Sequence, residues 1–172
     1  MVTKQSVYHG TNFEFDCFDS KKLGVSCDNP TTMMGFFFSS SKEGAYRWAH
    51  RSSTWGTLQG TTVSNPMVVI ADVSELQFKK MSAEKFTYYL KTARQETIFR
   101  HVNKWKSNGY DGLHIKLVDE DWFCVFEAGK IKILGREHEP AAIKEPAPFI
   151  TPAIPPVEFT ATRIPFIPRM EP

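Results

Sequence analysis

The stretch Ser6-Val7-Tyr8-His9-Gly10-Thr11-Asn12, read SVYHGTN, decides the fold. Val7-Tyr8 reads as a short strand that breaks off at a His-Gly-Thr turn. Alone, that turn has a bland reading. Gly10 supplies a permissive backbone and His9 satisfies a local carbonyl. What the rest of the chain places around it decides whether it does more.

The second block is GFFFSSSKEGAYRWA, Gly35 to Ala49. An aromatic strand, Gly35 to Ser40, runs into a helix. Ser40 and Glu43, three residues apart, form a capping-box pattern. Ala45, Trp48, Ala49 and Ser52 then share one face. An aromatic strand beside an aromatic on a helix can wall a slot for a flat ring, and aromatic pairing adds about 0.5–1.5 kcal/mol beyond area burial. Strand residues alternate faces, so at least two of Phe36, Phe37, Phe38 and Trp48 belong to the core.

Outward from these blocks, Met67 to Val73 reads as a buried strand. A long helical pattern starts at a Ser82 cap and stops at Asn108-Gly109. Its apolar stripe (Phe86, Leu90, Ala93, Thr97, then Ile98, Val102, Trp105) drifts, which predicts a break near Gln95–Thr97. GLHIKLV, WFCVF and KIKIL read as three closing strands, with Val118 to Asp121 as the turn between the first two. Strands at both ends and helices in the middle give an α+β fold. Asp119, Glu120 and Asp121 are either a solvated hairpin turn or an acid cluster, and Glu127 stands at a strand end.

The chain has 172 residues, is 41% hydrophobic and carries a net charge of +2. That suits one domain with an appendage, and argues against a global basic field for nucleic acid. Three cysteines (Cys17, Cys27, Cys124), no CxxC and no HxxxH spacing argue against a zinc site and for reduced thiols. No apolar run reaches the roughly 20 residues that cross a bilayer. The expectation is a soluble cytoplasmic protein with no membrane association and no metal. Oligomeric state is silent. From Pro140 onward lie nine of the eleven prolines, mixed with scattered Phe, Ile and Val. Residues 137–172 are therefore expected to be an extended Pro-rich tail, either a strap over the domain or a recognition segment, behind a domain at 1–136.

Taken in order, the three blocks resemble the ADP-ribosyltransferase superfamily: His-Gly-Thr on the first strand, Gly-aromatic-aromatic-Phe-Ser before a helix with Ala and an aromatic, and Gly-Tyr-Asp-Gly (Gly109 to Gly112) before an aromatic strand. The closer branch is the His-Tyr-Glu class of diphtheria-toxin-like and poly-ADP-ribose-polymerase-like domains, in its small phage or bacterial form. The resemblance spans about Val7 to Leu134. It implies a split β-sheet core with flanking helices, NAD as substrate, and transfer of one ADP-ribose unit to a macromolecular acceptor, a protein ahead of nucleic acid. A phage or toxin effector would work in the host cytoplasm.

The resemblance also implies roles. His9 matches the histidine that binds the NAD ribose, Gly10 the glycine whose backbone binds the nicotinamide amide, and Thr11 the hydroxyl position that follows. Phe37 falls on the strand tyrosine and keeps a slot wall without the hydroxyl. Ser39 matches the small residue after it. Trp48 matches the helix aromatic that stacks on nicotinamide, with Tyr46 as the alternative register. For the acid, direct alignment reaches Trp122. A shift of one or two residues reaches Asp121 or Glu120, which stand level, and Glu127 follows the strand. By alternation Glu120 shares the face of Trp122 and Cys124, and Asp121 that of Phe123 and Val125. The missing hydroxyl and displaced acid keep a catalytically silent binding module as the alternative, and the tail a partner-binding one.

Overall fold

The computed structural model describes residues 5–24, 30–58 and 66–138. Cys27 and the tail expected at 137–172 lie outside these residues, apart from Glu137 and His138. Among the described residues there are seven strands: β1 (Ser6–Thr11), β2 (Phe36–Ser39), β3 (Met67–Asp72), β4 (Phe78–Ser82), β5 (Gly112–Lys116), β6 (Asp121–Val125) and β7 (Lys132–His138). Three helices join them: α1 (Lys42–Leu58), α2 (Ala83–Thr92) and α3 (Gln95–Ser107). The fold is the expected mixed α+β.

The strands lie in the order β4-β5-β6-β2-β1-β3-β7, with β4 and β5 parallel and every other pair antiparallel. The sheet has a seam. β1 pairs along its whole length with β3, from Ser6↔Asp72 to Thr11↔Met67, but meets β2 only at Tyr8↔Ser39. The two blocks on either side of that pair form the split core. Each face carries its own core. Val7, Phe36, Phe38, Val69, Ala71, Phe123 and Val125 pack together on one. Leu113, Ile115 and Cys124 pack on the other, under Phe86 of α2 and Ile98 of α3.

Three local details differ from the sequence expectation. Helix α1 is capped by Ser41, whose Oγ accepts from the Gly44 amide at 3.2 Å. Ser40 instead turns its hydroxyl to the Asp121 amide, 2.9 Å away, and so anchors β6 to the end of β2. The break in the long helical segment falls at Ala93-Arg94, just ahead of the expected place. Strand β4 went unforeseen because FKKMS offers only two apolar residues; it persists because β5 supplies a full parallel ladder. Among the described residues no helix is long and apolar enough to cross a membrane.

Candidate active site

Gly10 sets the geometry. A Cβ there would stand 1.8 Å from the Ala45 carbonyl oxygen, so only glycine lets α1 lie directly on β1. That contact fixes where α1 presents Gly44, Arg47 and Trp48. Beside it, Thr11 closes the turn out of β1: its hydroxyl donates to the Phe13 carbonyl at 3.3 Å and accepts from the Phe13 amide at 3.1 Å.

His9 bridges the seam. Its Nδ1 lies 2.7 Å from the Phe37 carbonyl oxygen. A carbonyl only accepts, so Nδ1 carries the proton, and in the neutral ring Nε2 keeps its lone pair. The ring stands edge-on to Phe15 and Phe18 and tilted against Phe38. Burial among these rings holds its pKa below the ordinary histidine value, more than the Phe37 bond raises it. Nε2 has no hydrogen-bond partner among the described residues.

Glu120 is the most tightly held acid of the turn. Ser39 Oγ donates to its Oε2 at 2.5 Å, and Trp122 Nε1 donates to its Oε1 at 3.0 Å. The Arg47 guanidinium lies 3.8 Å from Oε1. Ser39 Oγ also accepts from the Ser41 amide at 2.9 Å, which sets its hydroxyl toward the acid. Gly44 leaves the space: a Cβ there would stand 2.0 Å from Glu120 Oε2. Next to the acid, Trp48 packs edge-to-face on Trp122 at 5.5 Å, yet 41% of it stays exposed. Trp122 and Phe37 both lean on Phe86.

The two halves thus meet on β2: its Phe37 carbonyl takes His9, and its Ser39 hydroxyl takes Glu120. The structure gathers Ser39, Glu120 and Trp122, with Trp48 packed on Trp122. Asp121 points to the opposite face, where His114 Nε2 lies 2.7 Å from its Oδ2 and His114 stacks on Phe123. Glu127 sits at the far end of β6, paired with Lys106 at 2.5 Å. The Tyr46 hydroxyl donates to the His138 carbonyl, 3.1 Å away. The sequence reaches Trp122 only as the aligned position of the acid, and gives Arg47 and Gly44 no part in the site. A glycine in the first turn of a helix was the available signal for Gly44, since that position otherwise favours a better helix former.

A cleft of about 230 Å³ elsewhere is lined by Lys106, Tyr110, Asp111, Phe126, Glu127 and Lys130. Its charges neutralise one another through Lys106–Glu127 and Lys130–Asp111. It lies away from Glu120.

A family model described as "ADP-Ribosyltransferase in polyvalent proteins" matches residues 3–138. Among solved structures, a chain of the M. tuberculosis MbcT–MbcA toxin–antitoxin complex is similar, with a TM-score of 0.51 and 8% identity over 80% of this chain and 85% of that one. At that identity the likeness shows the fold. No curated protein matches the sequence.

Proposed function

The chain belongs to the family of ADP-ribosyltransferases in polyvalent proteins, and on that premise we propose that it moves one ADP-ribose unit from NAD to a macromolecular acceptor and releases nicotinamide. The observation that carries the reading is Glu120, fixed by Ser39 and Trp122 beside the exposed Trp48.

Each part has a physical task. Trp48 offers its open face to the nicotinamide ring. His9 packs with Phe38 on the sheet face opposite Glu120; its neutral Nε2 is an acceptor for a ribose hydroxyl that reaches across the seam between β1 and β2. The bond between ribose C1′ and the nicotinamide nitrogen breaks, its electron pair leaves with nicotinamide, and positive charge grows on C1′ and the ring oxygen. The Glu120 carboxylate stabilises that charge, then takes the proton of the acceptor nucleophile as it bonds to C1′. Ser39 and Trp122 keep the carboxylate from turning away, and positioning of this kind contributes roughly 7–11 kcal/mol to lowering such a barrier. We place this work in the cytoplasm.

Nicotinamide release from NAD, followed by chromatography with cell extract as acceptor, tests the reading. Glu120→Gln is expected to lower release about 10²–10³-fold, the size of losing one electrostatic stabiliser of a transition state. Asp121→Asn is expected to leave it within about threefold, and His9→Ala to lower it. Full activity in the Glu120 variant, or its loss in the Asp121 variant, would reassign the acid. No release by the wild-type chain would make this a silent member of the family.

A further inference from the structure

We propose that the outer face of the α2–α3 hairpin is a docking surface for single-stranded nucleic acid. Between Ala83 and Ser107 the chain carries six cations (Lys85, Lys91, Arg94, Arg100, Lys104, Lys106) against Glu84 and Glu96. With a net charge of only +2 overall, the rest of the chain holds more carboxylates than cations. The positive charge is therefore concentrated on this one hairpin, which a whole-chain balance conceals.

Most of that charge is unspent. Lys106 pairs with Glu127, but the other five cations have no ion-pair partner among the described residues. Elsewhere Lys42 pairs with Glu137, Arg47 with Glu43 and Lys130 with Asp111. The unpaired lysines among the other described residues are spread over several elements, whereas on the hairpin five unpaired cations share one pair of helices. The field is felt locally. Burial lowers the pKa of His101, and Arg100 and Lys104 lower it further.

Two large aromatics stand out of the same hairpin, Tyr88 with 69% and Phe99 with 42% of its surface exposed. Lys85, Tyr88 and Lys91 are three apart along α2, and Arg100 and Lys104 four apart along α3, so each group runs along one side of its helix. The opposite sides are spoken for: Phe86, Leu90, Ile98 and Val102 pack into the core. Cations that track phosphates, interleaved with open rings on which bases stack, are the requirements for holding a single strand. A duplex hides its base faces, and an acidic protein surface would answer the charge alone. Helix α2 carries this surface on one side and Phe86, which backs Phe37 and Trp122, on the other.

The test needs no NAD, so it stands apart from the transferase reading. The full chain is titrated into labelled single strands of about 20 nucleotides, DNA and RNA, with anisotropy as readout. With four phosphates engaged, affinity is expected to fall roughly fiftyfold between 50 and 200 mM salt. The double variant Arg100→Glu/Lys104→Glu is expected to bind at least about tenfold more weakly with a shallower salt slope. Tyr88→Ala is expected to bind several-fold more weakly with the slope unchanged, a split that general charge attraction would not produce. Both sites are exposed, and an unchanged melting temperature confirms folding. No binding at 50 mM salt, equal binding of duplex, equal competition by polyglutamate, or variants that bind like the wild type would each overturn the proposal.

Discussion

At the scale of single residues, Glu120 and Asp121 show how much one step along a chain changes. They are neighbours with the same functional group, yet pleating sends them to opposite faces. Asp121 finds an imidazole there; Glu120 finds a serine hydroxyl, an indole N–H and a guanidinium. The sequence made them level because alternation tells which residues share a face and not which face carries the chemistry. Ser39→Ala tests the arrangement. It removes one donor from a carboxylate that retains Trp122, so stability is expected to fall by about 1 kcal/mol. Nicotinamide release should fall by about tenfold, mostly in kcat, since a loosened acid affects the transition state more than NAD binding. A change in KM alone would mean that Ser39 serves substrate binding instead. Gly44→Ala makes a sharper contrast. Gly44 is buried, and the atoms a Cβ there would crowd are side-chain ends, Glu120 Oε2 and Ser39 Oγ. The helix preference of alanine, about 1 kcal/mol over glycine, offsets part of the cost of moving them. The variant is expected to melt close to the wild type while losing most activity. A matching loss of both would mean that the crowding spreads into the fold.

At the scale of elements, α1 and β1 form one unit because Gly10 lacks a side chain. Gly10→Ala would drive a Cβ into the Ala45 carbonyl, and backbone cannot give way as a side-chain tip does. The expected cost is about 3 kcal/mol, at the upper end for overpacking, read as a shift in the urea midpoint with an unchanged m-value. A near-neutral result would show that α1 can lift off β1. Legibility also follows the element. β1, β2, β5 and β6 were readable because Val7, Phe38, Ile115 and Phe123 sit in short apolar runs bounded by turns. α2 was readable at its start because Ser82 accepts from the Lys85 amide, 3.3 Å away, as its sequence position suggested. β4 was not, since it is an edge strand of the sheet and its Lys79 and Lys80 leave no apolar pattern. The cap of α1 was misread by one residue because SSS offers three hydroxyls, and only the tertiary pull of the Asp121 amide takes Ser40 out of the competition. Of the site, the strand and helix positions were legible from order and spacing. Trp122 and Arg47 were not, because their role comes from β6 lying beside β2, a pairing between residues far apart in sequence.

At the scale of the whole molecule, the seam between β1 and β2 joins two sheet halves through one ladder pair, and His9 adds a second tie to the Phe37 carbonyl. The bond survives protonation of the ring, but the new charge would sit among Phe15, Phe18 and Phe38. That cost explains the lowered pKa and makes the tie sensitive to acid. His101 shares the direction, through burial and its two cationic neighbours. Both groups have a folded pKa below the ordinary value of 6.5. Below that pH the unfolded chain takes up protons that the folded chain refuses, so stability falls as pH drops through 6.5. The carboxylates act in a separate window. Lys106 lowers the pKa of Glu127; burial raises that of Asp111, but the Gln77 amide and Lys130 outweigh it. Their contribution is intact above about pH 5.5 and is lost progressively as pH falls through about 4 and below. Urea unfolding at pH 7.5, 6.5 and 5.5 isolates the histidines. The wild-type chain is expected to lose stability steadily across that range. His9→Phe, which keeps a ring but cannot titrate, should be less stable at pH 7.5 for want of the Phe37 bond, and should lose less on acidification. A wild-type stability that is flat or rising toward pH 5.5, or an equal slope in the variant, would mean that the two halves are held by something other than a neutral histidine at their seam.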